Sequence, residues 1–440
     1  MNREIYKNFR AAVLGLFFLC TILFMTSCEK PFNLEDSLRN IPGLKLEVVE
    51  KAEPYKTIFH IYLTQPLDHA NPQGETFEQK IILSHLDRSK PMVMVTEGYS
   101  LGRNFIAELG LLLESNELRV EHRFFGKSLP AVKPGDTNKK WRYLNLKQAC
   151  ADYHRIVGLF KKIYDNNWVS TGWSKGGQTA LTYRSLYPAD VAATVAYDAP
   201  LNFALEDKRI DAFFDTVGSA ACREKLIAFQ RLALKNKKEL LPLVKAYAQE
   251  EKLNFSIGLE NALEYVVLEY TFSFWQYHKI DCNTIPGKDS TPEKMFRHLK
   301  TVVSFGSYAD RSMNSAAMYQ FCTQLGYYGY VRKNVQDLLS SETYANCAYA
   351  PQDTALGYDP APMRKLDQWL QNKGKNILYI YGQLDPWSAP AVRLNGKTNA
   401  VKMVLKEGNH FTFINTFPQP QKKSMLKTLN QWIKRRASKQ

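Results

Sequence analysis

Residues 172–176 read Gly-Trp-Ser-Lys-Gly, a G-x-S-x-G pattern, and a further glycine follows at 177. A serine so flanked can do chemistry when it sits on a sharp turn from a strand into a helix. Its hydroxyl is then lifted above the sheet edge, and the flanking positions have no room for a Cβ. The surroundings supply that context: Trp168 to Thr171 has the pattern of a strand, and a helical pattern runs on to Tyr187, stopped by Pro188. Ser174 is therefore a candidate nucleophile. The N–H of Lys175, at the helix start, is a candidate donor to a developing oxyanion. A serine needs a base. Of the eight histidines, His410 is best placed, in Gly408-Asn409-His410 after the apolar segment Val401 to Leu405. His60 and His85 lie on early strand patterns, His69 just after the first, His154 on a helix, and His278 and His298 in a helical region. The base needs an orienting acid. Asp385 follows the strand pattern Asn376 to Tyr381 directly, and Asp198, after Val191 to Tyr197, is the alternative. The chain order Ser, Asp, His is the order that α/β-hydrolases use. A second oxyanion donor is expected from the loop after Met92 to Val95, where Gly98 admits close approach and the N–H of Tyr99 is the candidate.

These residues need a sheet to hold them. Thr57 to Thr64 and Phe77 to His85 alternate as paired strands do. Met92 to Val95 is a short apolar run of the kind found in buried parallel strands, and Leu118 to Phe125 contains another strand. Phe105 to Glu114, Leu146 to Tyr164 and Gln421 to Arg436 read as helices. Alternating strands and helices predict an α/β fold of the α/β-hydrolase type, a mostly parallel sheet covered on both faces. The stretch 206–358 breaks the pattern. It has helical segments, Leu226 to Ala248 and Leu259 to Tyr277 the clearest, and few strand candidates. The late return of strands makes it a helical cap inserted between a first core part, 42–205, and a second, 359–440.

The chain has 440 residues, 45% of them hydrophobic and 23% charged, enough to bury a large core. Arg3, Lys7 and Arg10 precede an uncharged apolar run, Ala11 to Met25. That run is shorter than the roughly 20 residues of a membrane span and has the form of a signal peptide. It ends in Met25-Thr26-Ser27-Cys28, which resembles a bacterial lipobox with Met in place of the usual Leu. Residues 1–28 are thus expected to be a lipoprotein signal, with Cys28 the lipid attachment point, in preference to an uncleaved membrane anchor or the signal of a cleaved soluble protein, and the protein to be exported to the bacterial cell envelope. Five further cysteines, 150, 222, 282, 322 and 347, make an odd number, so at least one stays outside any internal disulfide. Export permits disulfides. No C-x-x-C, H-E-x-x-H or close Cys/His cluster supports a metal, and no cofactor is implied. The net charge is +15, but Lys and Arg are scattered except at Lys434-Arg435-Arg436, where cations complement a helix end. This is a solvated basic surface and not a nucleic-acid site.

Taken together, T-E-G-Y (96–99), E-H-R-F-F-G-K-S-L-P (121–130), G-W-S-K-G-G (172–177), Y-G-x-x-D-P-W (381–387) and G-N-H (408–410) resemble the S37 peptidases. Those are secreted bacterial prolyl tri- or tetrapeptidyl aminopeptidases. The related S28 family of Pro-X carboxypeptidases and dipeptidyl peptidases shares E-H-R-F-F-G-K-S-x-P and D-P-W. The resemblance implies peptide substrates, proline before the cleaved bond, and a cap that closes over peptide ends. An enzyme that reads a free amine needs a carboxylate, for which Glu97 and Glu121 are candidates. Glu121 could instead pair with Arg123. Two other functions fit the same residues: a lipase or esterase using the same triad, and a non-enzymatic lipoprotein binding peptides or glycans on a hydrolase scaffold. The second would be marked by a lost triad member, and all three are present.

Overall fold

The computed structural model describes residues 32–49, 51–102, 105–131, 140–277, 281–310 and 315–437. The segment expected to be a signal, with Cys28, and His278 lie outside the described residues. Residues 32–42 belong to a unit of their own. It carries one short helix, α1 (Leu34–Arg39), whose first N–H groups are accepted by the Asn33 side chain.

The second unit is built on one nine-stranded sheet, in the order β1-β2-β3-β5-β4-β6-β7-β8-β9. The strands are β1 (Leu44–Val49), β2 (Thr57–Pro66), β3 (Thr76–His85), β4 (Met92–Thr96), β5 (Asn116–Val120), β6 (Trp168–Trp173), β7 (Ala193–Tyr197), β8 (Ile377–Gly382) and β9 (Val401–Leu405). The pairs β1–β2, β2–β3 and β3–β5 are antiparallel, and the pairs from β5 to β9 are all parallel. This is the α/β-hydrolase sheet with one extra strand, β1, at its antiparallel edge.

Helices α2 (Glu108–Leu112), α3 (Leu146–Phe160) and α4 (Lys175–Leu186) follow β4, β5 and β6. Between β7 and β8 come α5 (Lys208–Phe214), α6 (Ala220–Lys235), α7 (Lys237–Glu250), α8 (Leu259–Tyr277), α9 (Pro292–Val302) and α10 (Ser315–Gln320). Helix α11 (Ala361–Lys373) leads into β8, and α12 (Gln419–Ala437) ends the described chain. Strands β4 to β8 are buried except at Trp173, the last residue of β6, as a sheet covered on both faces requires. Successive residues of β8 show the two faces. Leu378 and Ile380 pack with Met425, Leu429 and Trp432 of α12, whereas Tyr379 and Tyr381 pack with Met363, Leu366 and Leu370 of α11.

Helices α5 to α9 have their own core, centred on Leu226, Phe229, Leu240, Val244 and Val266, which reaches Leu384 and Trp387 in the loop after β8. Cys222–Cys282 and Cys322–Cys347 are disulfides, and Cys150 is the free thiol among the described residues, and is buried. Three local expectations are revised. The helix expected from Phe105 begins only at Glu108. The segment expected as one helix, Leu226 to Ala248, is two, because Asn236 leaves helical geometry (φ −102°, ψ 27°). Strand β1 was not anticipated.

Candidate active site

Strand β6 runs into α4 through Ser174, whose backbone is held at φ 57°, ψ −125°. A non-glycine residue there carries strain of about 1–3 kcal/mol. Bonds on both sides hold it: Ser174 N–H donates to the Tyr197 carbonyl at 2.8 Å, and the Ser174 carbonyl accepts from Gln178 N at 3.0 Å. Gly172 is required because a Cβ there would lie 2.3 Å from the Gly176 carbonyl oxygen. The turn thus has the form the sequence predicts.

His410 is 2% exposed and Asp385 is fully buried. Asp385 Oδ2 lies 2.7 Å from His410 Nδ1. An ionised carboxylate only accepts, so Nδ1 carries the proton and Nε2 is left as the basic nitrogen. Three further contacts fix the ring. His410 N–H donates to the Gln276 carbonyl at 2.9 Å. Trp173 Nε1 donates to the His410 carbonyl at 2.7 Å, and the two rings lie 4.9 Å apart. Asp198, the alternative acid, does not reach the histidine ring. Its Oδ1 accepts from Gly382 N at 3.0 Å, and no hydrogen bond among the described residues reaches its Oδ2. Burial, and then the nearby Asp385, push its pKa well above the usual carboxylate range. Ser174 and His410 both line one cleft. No hydrogen bond joins Ser174 Oγ to His410 among the described residues; in hydrolases such a contact often tightens only with substrate in place.

The loop after β4 comes so close to the elbow that a Cβ on Gly98 would lie 2.6 Å from Gly176 N. The buried Lys175 ammonium donates to the Gly98 carbonyl at 2.6 Å and lies near the Tyr99 and Phe125 rings. Burial lowers its pKa well below the ordinary lysine value. Neither the Tyr99 N–H nor the Lys175 N–H donates to another group among the described residues. Two orphan donors beside a serine can serve an oxyanion.

The glutamates singled out in the sequence are committed elsewhere. Glu121 is buried, and its carboxylate accepts from Leu101 N (2.8 Å), Lys127 N (2.9 Å) and Ser128 Oγ (2.7 Å). It lines neither cavity at Ser174 and holds the Tyr99 loop from behind. Its expected partner Arg123 instead forms a bidentate pair with Asp152, both contacts 2.7 Å. Glu97 lines the cleft but is paired with Arg119 at 2.8 Å.

Two cavities meet at Ser174 and Tyr99. One, of about 710 Å³, includes His410 and apolar walls from Phe105, Trp173, Phe411 and Phe413. The other, of about 270 Å³, is lined by aromatic residues from the 206–358 stretch and the loop after β8, among them Tyr327, Tyr328 and Trp387. It contains Glu269, which the sequence reading missed. The available signal was a glutamate within α8, whose other residues from Ala262 to Trp275 are almost all apolar and buried.

An α/β-hydrolase sheet with a serine on its strand–helix elbow and an Asp–His pair after its last strands defines a serine hydrolase. Residues 28–437 match the PS-10 peptidase S37 family. The chain is 35% identical over 380 residues to the prolyl tri/tetrapeptidyl aminopeptidase of Streptomyces mobaraensis, covering 84% of this chain and 78% of that one. It is 23% identical to the prolyl carboxy peptidase like protein 5 of Caenorhabditis elegans, covering 86% and 90%. Among solved structures, the proline iminopeptidase of Mycobacterium smegmatis aligns with a TM-score of 0.42 at 11% identity, covering 84% of this chain and 98% of that one. The chain belongs to the S37 peptidase family and is a serine peptidase.

Proposed function

We propose that this peptidase releases short peptides, three or four residues long and ending in proline, from free N-termini. Ser174 attacks the scissile carbonyl, His410 takes its proton and later gives it to the leaving amine, and Asp385 orients His410. The N–H groups of Tyr99 and Lys175 bind the oxyanion. The observation that carries the direction of attack is the placement of His410. The leaving amine must lie on the side of the base that protonates it. His410 lines the 710 Å³ cleft and not the 270 Å³ cavity. The leaving group, the long remainder of the chain, therefore takes the larger cleft, and the short acyl fragment enters the cap cavity. Aromatic walls there suit a pyrrolidine ring. Among the described residues the larger cleft has no Lys or Arg to receive a terminal carboxylate, which weighs against a carboxypeptidase. The name of the Streptomyces relative supports the same reading.

The test is a matched set of peptides with proline third: free, N-acetylated and C-amidated. Acetylation removes the amine charge. It should lower kcat/KM by two to three orders of magnitude, and amidation should change little. If acetylation is harmless and amidation fatal, the enzyme is a carboxypeptidase. A lipase or esterase would favour a simple acyl ester over every peptide.

We also infer export to the bacterial envelope and anchoring through lipid on Cys28, supported by the basic, apolar and lipobox-like run of residues 3–28. Among the described residues no helix is long and apolar enough to cross a membrane. Cys28→Ser should move the protein from the membrane to the soluble fraction. Unchanged fractionation with no lipid mass on Cys28 would refute the anchor.

A further inference from the structure

The cap cavity that opens at Ser174 holds one charged group among the described residues, Glu269. Glu269 stands on α8 and is 7% exposed. Ser273 Oγ donates to its Oε1 at 3.0 Å, and the Tyr328 hydroxyl donates to its Oε2 at 2.7 Å. Both are neutral donors, and no Lys, Arg or His pairs with it among the described residues. Glu264, on the same helix, shows the contrast. It is buried too, but Lys237 pairs with it, and Ser340 donates to it through both its N–H and its hydroxyl. Its pKa is lowered, whereas burial raises that of Glu269 to about 7. A buried carboxylate without a cation is costly, and a glutamine would fill the same space without a charge.

We propose that Glu269 is the receptor for the free α-amine of the substrate. The proposal rests on the reading that the short N-terminal fragment occupies the cap cavity. An ammonium brings three donors and a full charge. The two Glu269 oxygens have lone pairs beyond those that Ser273, Tyr328 and Tyr308 use, and the same cavity leads from them to Ser174. The cavity is finite and Ser174 is at its mouth. The fragment released is then as long as the chain that spans from Glu269 to Ser174, at about 3.3–3.6 Å per extended residue. Glu269 would thus set both the end that is read and the number of residues removed, the role for which Glu97 and Glu121 are placed wrongly.

The test compares Ala-Ala-Pro-p-nitroanilide with propionyl-Ala-Pro-p-nitroanilide, which has the same shape without the amino group. The wild-type ratio of kcat/KM should be roughly 10²–10³, the scale of losing a buried charge partner. In Glu269→Gln the ratio should fall at least tenfold, because the loss falls on the amine-bearing substrate. A ratio that stays within tenfold of wild type overturns the proposal and leaves the exopeptidase reading standing. A wild-type ratio near one overturns both. Labelling of Ser174 by a fluorophosphonate reports that each variant is folded. If Glu269→Gln does not label, Tyr328→Phe, which removes one donor from the carboxylate, takes its place. Its ratio should fall at least threefold, and an unchanged ratio overturns the proposal.

Discussion

Two buried aspartates lie near His410, and exchanging each for asparagine separates their roles. Asp385 is fully buried and accepts from Nδ1 of His410 at 2.7 Å. An asparagine amide at that position favours the wrong tautomer of the imidazole and removes the charge that stabilises the imidazolium. In triads of this geometry the loss is about 10⁴-fold in kcat, or about 5.4 kcal/mol of transition-state stabilisation. Asp198 differs. Burial and Asp385 raise its pKa well above the ordinary range, and its Oδ1 accepts from Gly382 N rather than from His410. Asparagine keeps that acceptor and leaves the Asp385–His410 contact untouched. Asp198→Asn should lose less than about tenfold, roughly 1.4 kcal/mol. The assay is kcat on Ala-Ala-Pro-p-nitroanilide for the wild type and both variants, with a thermal melt to show each is folded. An Asp198→Asn loss equal to or larger than that of Asp385→Asn would refute the assignment.

Ser174→Ala should lose roughly 10⁴-fold or more in kcat. It should also lose covalent labelling by a fluorophosphonate, and labelling at another residue would refute the nucleophile. Glu117 gives a test of stability against pH. It is fully buried, one oxygen accepts from Ala107 N, the other has no partner among the described residues, and burial raises its pKa to about 8. The folded protein therefore keeps a proton that the unfolded chain releases near pH 4.3. Stability from this group is complete below pH 4 and declines as pH rises toward 8, by an amount on the order of 5 kcal/mol. Glu117→Gln should flatten that decline in denaturant midpoints measured at pH 6 and 8.5, and parallel curves would contradict it.

The core of the fold was readable because its parallel strands are buried on both faces and appear as short apolar runs, Met92 to Val95 and Ile377 to Tyr381 among them. Ser174, Asp385 and His410 could be singled out because each follows a strand, and strand ends are local in sequence. Strand β1 was missed although Leu44, Leu46 and Val48 alternate with Lys45 and Glu47, since a single edge strand with two charges resembles a loop. The break at Asn236 was missed because apolar spacing continues across it. The partners of Glu121 are two backbone N–H groups and a serine, and Arg123 meets Asp152 across 29 residues. Side-chain partners of that kind are set by tertiary packing and leave no local pattern. Glu269 was hidden for another reason. Helix α8 is buried nearly all round, so it has no polar face against which a functional carboxylate could stand out.

The most direct test of the account is mass spectrometry of the products from a mixed peptide library incubated with the full chain. The account predicts free tri- and tetrapeptides from the N-termini, ending in proline, with every C-terminus intact. Single residues released from C-termini, or internal cuts that ignore the distance from the amine, would contradict it.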